Sequence, residues 1–308
     1  MKQERSDFDA LDPYQIACRA ESAMFKKAMK APSKVFLLAI MAGVFIGLGF
    51  VYCSVANVTG AGKIVGGLVF SLGLLLVIVF GGDLFTSSTM TLIAKVNKQV
   101  TWQQMFTNWG IVFTGNFIGA LLLVGLIIMS GHPFDNGGNI GLFYIKTAEH
   151  KLTHTFIEAV GLGILCNLMV CLAVWMSFGA RTLTEKMVAV LLPVGLFIAA
   201  GYEHSVANMF MVPAGIYTYQ LATPEMLAQL SNPAHFAQTL NWGNFITANL
   251  IPVTIGNIIG GGVMVGLYQW LIYLRSDAKH KQIATMNLST VAVETKAQND
   301  EHKIAAAE

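Results

Sequence analysis

Asn108-Trp109-Gly110-Ile111-Val112-Phe113-Thr114-Gly115-Asn116-Phe117-Ile118-Gly119 returns, altered, as Asn249-Leu250-Ile251-Pro252-Val253-Thr254-Ile255-Gly256-Asn257-Ile258-Ile259-Gly260. Asn, Gly, Asn and Gly recur at the same four offsets, and both stretches lie in apolar sequence. An amide in such a run needs partners across a helix bundle, and a glycine there lets two backbones approach closely. A recurrence of both features points to a chain built as two related helical halves.

The surrounding composition sets the class. Hydrophobic residues make up 55% of the chain and charged residues 12%, with a mean hydropathy of +0.60. Soluble domains carry about a quarter charged residues, so this chain lacks half of the usual polar coat. Six apolar stretches follow, at 35–56, 64–94, 106–130, 155–178, 187–217 and 245–274. Each reaches the roughly 20 helical residues that cross a bilayer core. The expected fold is an all-α membrane protein of six transmembrane helices. With three spans per half, the second half enters from the opposite side, giving a 3+3 inverted repeat, although the first and fourth stretches match too weakly to add to it. The net charge of +2 is too slight to argue for nucleic acid. Cys18, Cys53, Cys166 and Cys171 have no metal-type spacing and read as reduced thiols.

The second and fifth stretches are too long for one unbroken span, and each has a polar interruption. One holds Gly81-Gly82-Asp83-Leu84-Phe85-Thr86-Ser87-Ser88-Thr89, the other Gly201-Tyr202-Glu203-His204-Ser205. Backbone freed from a helix at membrane depth must be buried in protein or line a wet cavity, so the breaks are where function is expected. Sixteen of the nineteen Lys and Arg residues fall in the N-terminal segment, the second and fourth connections and the C-terminal tail. Lys63, Lys146 and Lys151 fall on the other side. The positive-inside rule then predicts cytoplasmic termini. Residues 1–31 read as a cytoplasmic segment, 32–275 as the six-helix domain and 276–308 as a disordered tail. The polar start, 1–29, lacks a cleavable signal pattern, so insertion is expected to begin at the first span. Within it, Asp12 before Pro13 reads as a helix N-cap, with Ile16, Ala20 and Met24 at helical spacing. That helix could lie on the membrane surface or plug the pore.

Among the embedded polar residues, His204 is the histidine that falls in mid-span, and an ionisable group there is a functional candidate. Asp83 and Glu203 read as braces that accept backbone N–H bonds at the breaks. Thr86 could serve a passing anion or cap a half-helix, and Asn167 is an amide needing partners. The alternative for each is satisfied packing.

Four stretches resemble the formate/nitrite transporter family. They are Asp83 to Ser87, Gly163-Ile164-Leu165-Cys166-Asn167-Leu168-Met169-Val170-Cys171-Leu172-Ala173, Glu203 to Phe210, and Asn249 to Asn257. The resemblance covers about 32–275. It implies an aquaporin-like fold, a homopentamer with one pore per protomer, a bacterial inner-membrane location, and no enzymatic activity or cofactor. Its implied substrate is formate, with nitrite or hydrosulfide as alternatives. It also implies residue roles: His204, Thr86 and Asn167 at the pore centre, and Lys151 drawing anions into an outer vestibule. Leu74, Leu84, Phe85, Phe70, Phe197 and Val170 would form apolar constrictions, with Asp83, Glu203, Asn249 and Asn257 structural at the breaks. A bare anion in an apolar throat loses hydration at a cost of many kcal/mol. Protonating formate at neutral pH costs about 4 kcal/mol. The residues leave two mechanisms open: His204 lends a proton, or it only donates a hydrogen bond. An intramembrane acid–base enzyme using Glu203 and His204 would need a nucleophile or metal set, and no such motif accompanies them.

Overall fold

The computed structural model describes residues 11–276, which form helices and connecting turns with no strand among them. The expected disordered tail lies outside the described residues, apart from Ser276. α1 spans Pro13–Ala28, with Asp12 and Gln15 closing a reciprocal capping box. Its buried stripe, Ala17, Ala20, Met24 and Ala28, sits one residue off the expected face at its first position. α2 (Pro32–Val58) and α3 (Gly62–Phe80) follow, then a break, a half-helix α4 (Phe85–Ser88), a tight turn and α5 (Leu92–Val96). α6 (Trp102–Met129), α8 (Phe156–Gly179) and α9 (Leu183–Ala199) all start the same way. Thr101 with Gln104, Thr155 with Glu158 and Thr182 with Glu185 form capping boxes that satisfy the first free amides.

Between α6 and α8 lies α7 (Asn139–Leu152), where the sequence reading expected only a connection. At 14 residues it is too short to cross a bilayer core. It is held by the burial of Tyr144, Ile145 and Ala148 against its neighbours. After α9 comes the second break and then α10 (Ser205–Gln220), with short helices α11 (Pro224–Leu227) and α12 (Pro233–Thr239) beyond it. The last long helix, Trp242–Leu274, alternates α and π winding. Pro252 near its first π segment removes a backbone donor, which loosens the regular ladder there.

Among the described residues, five helices are long and apolar enough to cross a membrane: α2, α3, α6, α8 and the last helix. The fifth apolar stretch is split at its expected break into α9 and α10, of 17 and 16 residues. Large apolar side chains such as Leu37, Ile64, Leu126 and Ile157 stand exposed on the outer faces, as suits a bilayer.

α2 packs on α6, and α8 packs on the last helix. At the first crossing a side chain on Gly119 would overlap the carbonyl of Ile40, and at the second one on Gly260 would overlap that of Ile164. In both crossings the glycine that closes the repeated Asn-Gly-Asn-Gly pattern meets a backbone carbonyl.

Candidate functional site: two broken helices meeting at Thr86 and His204

Both breaks are built alike. A glycine in the left-handed region, Gly81 (φ 79°) or Gly201 (φ 75°), ends the first helix. An extended residue, Leu84 or His204, then precedes the half-helix that begins at Phe85 or Ser205. One asparagine holds each break. Asn116 Oδ1 accepts from Phe85 N at 2.8 Å, while its Nδ2 donates to the carbonyls of Asp83 at 2.9 Å and Ala39 at 2.8 Å. Asn257 Oδ1 accepts from Ser205 N at 2.9 Å, while its Nδ2 donates to Glu203 O at 3.0 Å and Gly163 O at 2.8 Å. These are the repeated asparagines of the two quoted stretches.

The acids therefore do something other than brace backbone amides. Asp83 receives Lys30 Nζ at 2.7 and 3.0 Å, with Lys27 Nζ at 3.8 Å. Glu203 receives Lys151 Nζ at 2.9 Å, Asn208 Nδ2 at 2.6 Å and Asn249 Nδ2 at 3.1 Å. The sequence reading expected carboxylates bonded to broken backbone. The asparagine amide takes that place because it can both donate and accept, whereas an ionised carboxylate can only accept. A buried carboxylate needs a cation, and each finds a lysine. Lys27, Lys30, Asn116 and Asn208 were not singled out as site residues. The offset identity of Asn116 with Asn257 was the available signal.

The two breaks meet at the centre. Thr86 Oγ1 lies 3.0 Å from His204 Nε2, and both residues are buried. His204 Nδ1 accepts from Ala207 N at 2.9 Å, capping α10. That nitrogen is thus unprotonated, and the neutral ring carries its hydrogen on Nε2, which donates to Thr86 Oγ1. Asn167 Nδ2 donates to Thr86 O at 3.0 Å, tying α8 to the half-helix. The Phe197 ring stacks on His204 at 5.8 Å and meets Phe70 edge-on at 5.9 Å. Phe70, Phe197 and His204 are thereby contiguous. Leu74, Leu84 and Val170 are buried in the same apolar core. Phe85 turns toward α6, edge-on to Trp109 and Phe113. Lys151 is set against the Glu203 carboxylate, and Asn249 Nδ2 also donates to Lys151 O at 2.9 Å. A cavity of about 460 Å³ opens beside it, lined by Lys63, Lys146, His150 and His154 as well.

A helical membrane protein with two half-helices starting at a shared buried centre is a transporter or channel by architecture. The formate/nitrite transporter family profile matches residues 14–271, and the chain belongs to that family. Formate channel FocA of Escherichia coli K12 is 52% identical over 281 residues, covering 89% of this chain and 98% of the relative. Formate channel FocA of Haemophilus influenzae is 46% identical over 267 residues, covering 84% and 94%. A solved structure described as a pentameric formate channel with formate bound aligns with a TM-score of 0.72 at 47% identity, over 81% of this chain and 99% of its own.

Proposed function

We propose that the chain conducts formate as a homopentamer in the bacterial inner membrane. Both termini are cytoplasmic, and each protomer's path runs between two inverted three-span halves past Thr86 and His204. Residues 32–275 carry the path and 1–31 lie on the cytoplasmic side. Support comes from relatives named as formate channels and from the pentameric, formate-bound neighbour. The observation that carries the residue assignment is the 3.0 Å pairing of Thr86 and His204, where both half-helices begin.

In this reading Phe70, Phe197, Leu74, Leu84, Phe85 and Val170 supply the apolar walls, and Asn167 fixes the Thr86 carbonyl. His204 acts on formate as a neutral donor through Nε2–H. Giving that proton away would leave an imidazolate, since Nδ1 is already the acceptor for Ala207 N. A proton relay would need a second proton on Nδ1, which would point at the Ala207 amide and uncap α10.

Uptake into proteoliposomes separates these cases. Formate should enter faster than nitrite or hydrosulfide at equal concentration, and a reversed order assigns the chain another small anion. Asparagine is a good N-cap and a donor but does not titrate near neutral pH. His204→Asn should therefore keep uptake within about tenfold of wild type, the range one hydrogen bond controls. His204→Phe, which neither caps nor donates, should lose it while still assembling. If His204→Asn abolishes uptake driven by a pH gradient that the wild type uses, the relay is correct and the donor role is not.

A further inference from the structure

All three lysines that the charge distribution sets apart, Lys63, Lys146 and Lys151, line one cavity. They come from α3 and α7, distant in sequence, and α7 adds His150 to the same wall, with His154 just beyond its end. Among the described residues the lining holds no Asp or Glu. Of the acids nearby, Glu203 pairs with Lys151 at 2.9 Å and Glu149 with His235 at 2.9 Å, so Lys63 and Lys146 are the lining lysines without an ion-pair partner among the described residues. The His150 imidazole is held below the usual histidine range by burial first, then by the charges of His154 and Lys151. Lys63 and Lys146 therefore carry the positive charge that the lining leaves without a counter-ion.

The size points the same way. A cavity of about 460 Å³ falls in the range of sites that hold whole small-molecule ligands. A three-heavy-atom monoanion fills little of it and meets one or two cations at a time. Lys63 and Lys146 are exposed at the rim, while Lys151 is buried and paired with Glu203. An anion with two or more negative charges would engage Lys63 and Lys146 at once.

We propose that this vestibule is a binding site for multivalent oxyanions, which occupy it without entering the path and so block the smaller substrate. The block of transport rests on the formate-channel reading above, whereas binding itself does not. Pyrophosphate, with charge on both phosphoryl groups, would draw on Lys63 and Lys146 together. Entry past Phe197 and His204 is closed to such an ion, because several buried charges would go unpaired in an apolar throat.

Calorimetry on the detergent-purified protein with pyrophosphate and with citrate is the first measurement, with chloride at matched ionic strength as control. Saturable binding of pyrophosphate or citrate, absent with chloride, is expected. In Lys63→Ala/Lys146→Ala the affinity should fall roughly tenfold, as loss of two exposed ion pairs allows. Formate uptake with the same ions outside the liposome is the second, scored as inhibition relative to each protein's own uninhibited rate. Inhibition should weaken in the double variant in step with affinity. Binding that is equal in wild type and double variant, or absent in both, overturns the proposal. If the protein binds pyrophosphate but carries no formate at all, the formate reading falls and the site stands. If it binds but transport is unaffected, the blocking role is overturned.

Discussion

At the residue scale the two asparagines carry an uncommon share of the structure. Asn257 satisfies one backbone N–H and two backbone carbonyls from two segments, the second break and α8, and Asn116 does the same with the first break and α2. Its amide offers a donor group and an acceptor in one plane, which no hydroxyl or carboxylate supplies. Asn257→Ala strands the Ser205 amide and both carbonyls in a buried place, at about 1–3 kcal/mol for each group that water cannot reach. The expected loss in chemical unfolding is about 3 kcal/mol, and Asn116→Ala should cost about the same. A loss below roughly 0.5 kcal/mol for either would mean that water replaces the amide. His204 was legible as a candidate because an ionisable residue in an apolar run stands out. That its Nδ1 is committed to Ala207 was not legible, since the bond depends on where the helix restarts.

At the element scale the half-helices depend on close crossings. α6 approaches α2 near enough that a Cβ on Gly119 would overlap the Ile40 carbonyl, while Gly110 on the same helix has nothing within 4 Å. The same substitution should therefore act in opposite directions. Gly110→Ala should leave melting temperature unchanged or raise it, since alanine favours a helix by about 0.5–1 kcal/mol over glycine. Gly119→Ala should lower both melting temperature and the yield of assembled protein, because backbone must move to admit the methyl. Size-exclusion profiles over a temperature series read both, and equal behaviour of the two variants would refute the close crossing. The breaks themselves were legible from glycine followed by an acid in apolar sequence. α7 was not, because at 14 residues it is too short for a span and is defined only by what it packs against.

At the scale of the whole molecule, ion pairing is alike at the two breaks. Lys30 and Lys27 serve Asp83 from the N-terminal side, and Lys151 serves Glu203. α1 thus connects to the first break through charge, and Asn108 Nδ2 donates to Lys27 O at 3.2 Å. The distribution of basic residues predicts where these ends lie. A reporter active only in the cytoplasm should give signal when fused after Glu308 and none when inserted beside Pro133. The reverse pattern would invert the orientation and place the lysine-lined vestibule on the cytoplasmic face.

The sequence by itself determined the class, the places where helices break, the family and the buried histidine. Each of these rests on local composition or on spacing along one strand of chain. Only the tertiary structure decided which groups satisfy one another. Lys151 reads as a free vestibule charge until Glu203 is seen 2.9 Å away, and Asp83 reads as a backbone brace until Lys30 reaches it. Partners of buried charges and amides come from segments far apart in sequence, and the cost of leaving any of them unpaired selects the packing as a whole.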